Sequence, residues 1–352
     1  MFFARSSAPD SDSEPPVEGG NAATPLPERT VVVITGASSG IGHATALAFA
    51  RRGACLVLAS RDADTLSPVA MECRAEGGTA IGVPTDVTDP KAVQALLAKA
   101  LRHFGHIDVW VNGVGVGAVG RFEDVPVAAH RRVLETNLLG HLHGAHVVMP
   151  HFRERGRGTL VNLISMGGWV PAPYAAAYTA SKFGVRGLSE SLRAEVSDLP
   201  GVHVCDVAPT FVDSPGLAHG ANYTGRSIRP PLPMVDPRRV ADAIVGLATR
   251  PRDVTWLGAP ALPGRIAHAV APAAVGRAMR WLTDAALRRA RTVPNSDGNL
   301  FEPSRGTAID GGHREHRDSR MAAVAALGVA GLAYGWWLAT RDRSSAADQQ
   351  QP

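Results

Sequence analysis

Cysteine is scarce. Cys55, Cys73 and Cys205 are odd in number, lie far apart and form no CxxC, which argues against a disulfide framework and a thiolate metal site and fits a reducing compartment. Lysine is almost missing too: Lys91, Lys99 and Lys182 are the only lysines among 36 basic residues, so the net charge of +4 comes from arginine. That basic excess forms no run and no aromatic-interleaved stripe in the part that reads as folded, so no nucleic-acid partner is expected. HExxH is absent as well. His141, His143, His146 and His151 crowd one stretch, but their spacings do not set three imidazoles on one helical face, and no metal site is expected. The opening MFFARSSAPDSDSEPP lacks an apolar core and does not read as a secretory signal; residues 1–28 read as a disordered tail rich in proline, serine and acid.

What is present is an ordinary globular composition, 45% apolar over 352 residues, enough for one large α/β domain or two small ones. Thr30 to Thr35 (TVVVIT) is a β-branched run followed by glycines and an apolar-periodic stretch, Ala44 to Ala50, which reads as strand, turn, helix. Further strands are expected at Cys55–Ala59, Ala80–Val83, Val109–Val111, Thr159–Ile164, Val202–Val207 and Val254–Leu257. Between them lie helical stretches, among them Pro90–Phe104, Ala128–Met149 and Ala177–Ser197. Strands apolar on both faces, alternating with helices, predict a parallel seven-stranded sheet covered on both sides: a single doubly wound α/β domain of Rossmann type over residues 29–258. A basic helical extension follows over 259–312, with helices near Arg265–Ala269 and Ala274–Arg291 and then a loop containing Gly, Asp and Pro through Gly312.

Residues 313–352 read as a membrane anchor. Met321 to Thr340 carries no charge, is bounded by Arg320 and Arg341, and would span roughly 30 Å as a helix. Tyr334, Trp336 and Trp337 cluster at one end, as in an interfacial belt. The alternative is a buried terminal helix. The anchored reading puts the protein at a membrane with its larger part facing the cytoplasm.

TGASSGIG, Thr35 to Gly42, lies between strand and helix, where glycines let backbone approach a pyrophosphate and the helix N-terminus offers unpaired N–H groups. Gly36, Ser38, Ser39, Gly40, Ile41 and Gly42 are the expected contacts. The second strand ends at Ser60 and Arg61 with no acid there; a guanidinium can fork onto a 2′-phosphate that an aspartate would repel, which predicts NADP(H) rather than NAD(H).

Tyr178 and Lys182 are four apart at the start of a predicted helix and share one face. With four tyrosines and three lysines in the chain, such a pair arises by chance on the order of 0.03 times. Together with TGASSGIG, Asp86 in TDVTD, Asn112 in VNGVG, Asn137 in TNLLG and Ser165 ending VNLIS, this YTASK resembles the short-chain dehydrogenase/reductase family in its compact branch. The resemblance implies hydride exchange between NADP(H) and a ketone, aldehyde or alcohol. Tyr178 would be general acid or base, Ser165 the substrate's hydrogen-bond partner, and Lys182 the holder of the ribose. Asn137 would fix a relay water. Lys182 and a positive nicotinamide should lower the Tyr178 pKa. The resemblance further implies an adenine contact at Asp86, cofactor contacts at Val87, Asn112 and Gly113 with Asn112 supporting the central strand, and nicotinamide-side contacts at Pro209, Thr210, Phe211, Val212 and Ser214. It places the histidine-rich helix at a homodimer contact. Departures are Gly113 where the family has asparagine and Thr210 where it has glycine. Met166, Trp169, Tyr174 and Phe211 would line an apolar substrate pocket, which points to a steroid-, retinoid- or fatty-acyl-like substrate. A membrane-tethered, non-catalytic NADP(H) sensor or scaffold is the alternative.

Overall fold

The computed structural model describes residues 26–229, 233–258 and 261–314. In chain order the elements begin β1 (Val31–Thr35), α1 (Gly40–Ala50), β2 (Cys55–Ser60), α2 (Ala63–Ala75), β3 (Thr79–Pro84), α3 (Pro90–Phe104) and β4 (Val109–Asn112). After the short β5 (Ala118–Val119) come α4 (Val127–Leu134), a π-helical turn (Glu135–Leu139) and α5 (Gly140–Arg155). There follow β6 (Gly158–Leu163), α6 (Ala176–Glu195), β7 (Val202–Pro209), α7 (Gly216–His219) and β8 (Ala221–Asn222). The series ends with α8 (Pro237–Leu247), β9 (Val254–Leu257), α9 (Ala261–Val270) and α10 (Pro272–Arg289).

Seven strands in the order β3-β2-β1-β4-β6-β7-β9 form one parallel sheet. Every residue of β1 is buried, because parallel strands linked by crossover helices have both faces covered. One face packs Val32, Ile34, Leu56 and Leu58 against α1, α2 and α8; the other packs Val33, Val57 and Trp110 against α3 and α5. The order in which strands are added reverses between β1 and β4, and the crevice at that switch point, outside the carboxyl ends of the strands, is where such sheets bind ligands. Helix starts obey local rules: Asp89 caps α3 by accepting from Lys91 N with Pro90 in the first turn, and Asp236 caps α8 likewise. Asp206 of β7 is fully buried and bound to Arg193 of α6 at 3.1 Å, and burial pushes its carboxyl up to about 6.

Three expectations need correction. The helix read as continuous from Ala128 to Met149 is broken by the π-helical turn, since an apolar period does not register one extra residue in a turn. The membrane span, and with it the membrane partner and the membrane location, is withdrawn. No helix among the described residues is long and apolar enough to cross a membrane, and residues 321–340 lie outside them. The longest of these helices are amphipathic: α6 carries Lys182, Arg186, Glu190 and Arg193, and α10 carries Arg277, Arg280, Asp284 and Arg288. Finally, His141 is 1% exposed and packed inside the fold, neither at a surface nor in solvent, and burial drives its imidazole down to about 3.

Candidate functional site

The floor of the crevice is bare backbone. A Cβ on Gly42 would stand 2.0 Å from the Gly36 carbonyl oxygen, so only glycine lets α1 start this close to the loop leaving β1. A Cβ on Gly113 would meet Thr35 O at 2.6 Å, so the loop after β4 nests equally closely against β1. Ser38, Ser39 and Ile41 are partly exposed along this edge, at the positive end of α1. Gly40 is buried, and its N–H donates to Ala308 O at 2.9 Å.

At the end of β2 the Ser60 hydroxyl donates to Asp62 O at 3.0 Å. Arg61 projects outward and donates to the carbonyls of Asn299 (2.8 Å), Leu300 (3.2 Å), Phe301 (3.4 Å) and Glu302 (3.2 Å). Burial lowers its pKa, as desolvation disfavours the cation. Asp86 accepts from Thr88 N and Oγ1 and from Arg132 Nη2 at 3.0 Å; these bonds outweigh burial and hold its carboxyl below the usual range. Val87 is buried beside Gly140. Asn112 braces the scaffold from within: it accepts from Trp110 Nε1 at 2.8 Å and donates to His141 O and Asn162 Oδ1.

Ser165, at the end of β6, accepts from Gly167 N at 3.1 Å and hydrogen-bonds the Tyr178 phenol. A Cβ on Gly167 would lie 3.1 Å from the Tyr178 ring edge and 3.5 Å from Ser165 Oγ, so glycine keeps the two together. Lys182 is 3% exposed, its Nζ lies 5.9 Å from the centre of the Tyr178 ring, and it donates to Leu163 O at 2.8 Å. Asn137 sits in the π-helical turn, wholly buried. It accepts from Val116 N at 2.8 Å and donates to Val116 O and Ser181 Oγ, fixing the loop after β4 to the helix that carries Tyr178. Asn137 from the π-helical turn, Ser165 from the loop after β6, and Tyr178 and Lys182 from α6 thus come together from three parts of the fold.

The electrostatics differ from the expectation. Burial raises the Tyr178 pKa despite the Ser165 hydrogen bond, and burial also pushes Lys182 down to about 7. Desolvation acts on both groups and penalises whichever is charged, so a lysine this dry does little to hold a phenolate. A stability prediction follows from the lysine. Its folded pKa lies below the unfolded value of 10.5, so the unfolded chain binds the extra proton between about 7 and 10.5, and its share of stability rises with pH across that window. Lys182→Met should therefore raise the melting temperature of the cofactor-free protein at pH 6 by roughly 5 °C. The gain should shrink towards pH 10, the unpaired Leu163 carbonyl offsetting part of it throughout. Calorimetry at the two pH values checks this, and a lower melting temperature at pH 6 would contradict it.

The remaining positions are spread around the mouth. Pro209 ends β7, Thr210 N bonds Leu257 O at 2.9 Å, Val212 is buried and Phe211 is 38% exposed. Ser214 packs against Gly40, bringing the segment after β7 onto the loop after β1. Trp169 lies in the core, its ring 4.4 Å from that of Trp256, with Met166 and with Val275 and Met279 of α10 packed around the same cluster. Tyr174 has a left-handed φ of 64°, and its hydroxyl donates to Asp284 of α10. The extension thus roofs the Ser165 side of the cleft.

Sequence reading missed Arg132, Asp213, Leu300 and Ala308. Asp213 is 1% exposed and accepts from His313 N, Arg314 N and Arg314 Nε. Only the Gly/Pro content of 291–314 marked that segment, and it suggested a loop.

A family model described as short chain dehydrogenase matches residues 30–222. An uncharacterized oxidoreductase of Staphylococcus haemolyticus is 36% identical over 224 residues, which is 64% of this chain and 93% of that protein. The uncharacterized oxidoreductase YxnA of Bacillus subtilis is 30% identical over 325 residues, 89% of this chain and 91% of that protein. Among solved structures, an alcohol dehydrogenase from the archaeon Thermococcus sibiricus complexed with 5-hydroxy-NADP superposes with a TM-score of 0.57 and 28% identity, covering 65% of this chain and 96% of that one.

Proposed function

The chain belongs to the short-chain dehydrogenase family and is an oxidoreductase of that type, and from this premise we propose that residues 29–258 use NADP(H) to interconvert a lipophilic ketone or aldehyde and its alcohol. The observation that carries the proposal is the convergence of the Tyr178 phenol, the Ser165 hydroxyl and the buried Lys182 ammonium beside a glycine-floored crevice. The crevice fits a dinucleotide: Gly36, Gly42 and Gly113 let the loops after β1 and β4 and the start of α1 close onto one another, which sets the α1 N-terminus at the strand ends, and Arg61 stands at the end of β2, where the second ribose falls. The archaeal relative's bound 5-hydroxy-NADP supports the phosphorylated form.

Bound NADP(H) would supply the hydride. Ser165 donates a hydrogen bond to the substrate oxygen and holds the carbonyl beside Tyr178. In reduction the phenol gives its proton to that oxygen as the carbonyl carbon gains hydride, and the product is an alcohol. Burial favours the protonated phenol, which suits an acid, and a cationic ring in the crevice would ease the reverse step by favouring phenolate. Lys182 holds the ribose and returns a proton to Tyr178. Asn137 secures the loop after β4 against that helix. Met166, Tyr174 and Phe211, with the roof formed by α10, supply an apolar surround for the substrate.

The test is a titration and a turnover screen on the full chain. NADPH is expected to bind more tightly than NADH and to be oxidised with hydrophobic ketones. Equal or reversed affinities overturn the cofactor assignment, and turnover restricted to small sugars or polar keto acids overturns the substrate class.

A further inference from the structure

After α10 the chain doubles back across the nucleotide end of the cleft, fastened at both ends. Ser296 exchanges both backbone hydrogen bonds with Asn222 of β8, at 2.8 and 2.9 Å. Leu300 inserts completely among Val116, Val125, Ala129 and Val133. Further along, Ala308 O takes the Gly40 N–H, and Thr307 O lies 2.6 Å from His43 Nδ1. Arg314 closes the run, its guanidinium meeting the carboxylates of Asp213, Asp236 and Asp310. Pro303, Arg305 and Gly306, between the two fastenings, are exposed.

We propose that this strap is an internal competitor of the cofactor's 2′-phosphate for Arg61. In the closed state both terminal nitrogens of that guanidinium are committed to four consecutive carbonyls, those of residues 299–302, leaving only Nε of its donors. Arg132 is committed in the same way, to Leu300 O, Thr88 Oγ1 and Asp86 Oδ2. The strap therefore spends the forked donor that a phosphate needs. The phosphate can displace it, because it offers the guanidinium a full negative charge in forked geometry where each carbonyl offers only a dipole. Leu300 is the hook: all four carbonyls belong to it or its neighbours, so unseating that one side chain frees Arg61 altogether. The inference rests on the assignment of Arg61 to the 2′-phosphate and adds a consequence, that apparent NADP(H) affinity is set by how often the strap is open.

The experiment is stopped-flow binding of NADPH and of NADH to the full chain, to Leu300→Asp, which unseats the hook, and to Arg314→Ala, which releases the surface end without emptying the core. Leu300→Asp is expected to tighten NADPH binding by about tenfold, through faster association, and Arg314→Ala by about threefold. NADH, which has no 2′-phosphate, should gain much less. Hydrogen exchange gives a second readout on the unmodified protein: NADPH should speed exchange of amides 299–308. Unchanged NADPH binding in both variants, or weaker binding with faster release, overturns the proposal, as does protection of 299–308 by NADPH. Should Leu300→Asp fail to fold, Arg314→Ala and the exchange measurement decide. An unmodified protein that binds NADPH no better than NADH removes the Arg61 assignment itself, an outcome distinct from variants that merely match it.

Discussion

Tyr178→Phe is expected to lower kcat by about 10²–10⁴-fold, the usual worth of a positioned acid or base. The change removes one oxygen and keeps the ring, which packs beside Val116 and Ala177, so the fold and the crevice should survive. NADPH affinity should then stay within about twofold, placing the loss in the chemical step rather than in binding. Single-turnover oxidation of NADPH, alongside a fluorescence titration, separates the two quantities. Ser165→Ala should cost less, about 10- to 100-fold, because the phenol remains and only the substrate's orienting partner is lost. A Tyr178→Phe protein that keeps most of its turnover would remove the phenol from the mechanism.

Gly42→Ala should damage both the fold and the nucleotide site. The added carbon would stand 2.0 Å from a backbone oxygen and 2.7 Å from the carbon that bears it. Neither atom can rotate away, so α1 must lift from the loop, at a cost of roughly 3–5 kcal/mol. The same displacement carries the helix N-terminus away from the pyrophosphate, and dinucleotide affinity should fall by about 100-fold or more. Gly187→Ala is the control. That residue is exposed in α6 with nothing within 4 Å of the new carbon, and the substitution should stabilise by about 0.5–1 kcal/mol through helix propensity. Urea denaturation of the two variants measures both effects. A Gly42→Ala protein as stable as the unmodified one would mean that the loop and α1 are not in this contact.

The seven-stranded sheet was legible because each of its strands is a short apolar run closed by turn residues. Val31 to Ile34 is the clearest case, and burial on both faces leaves such a strand no polar alternative. Tyr178 and Lys182 were legible because helical spacing alone puts them on one face. The pair β5 and β8 was not, since two-residue strands have no period. His141 was misplaced because its neighbours His143 and His146 are less buried and a helix of mixed composition does not declare which face turns inward. The partners of Arg61 were hidden for a different reason: they are main-chain oxygens 238 to 241 positions away, and any sequence there carries the same carbonyls. Residues 321–340 show the opposite fault, in which a lack of charge was read as a location.

The wide turn at Glu135–Leu139 holds one more residue than an α-helix would, and Asn137 reaches both Val116 and Ser181 only because of it. Each α-helical residue turns the chain by about 100°. Deleting any one of the other four positions would let the two flanking helices fuse into a regular rod and swing the asparagine off its partners. Lineages descending from such a chain are then free to vary the identity of many residues along this rod, yet are held to its count.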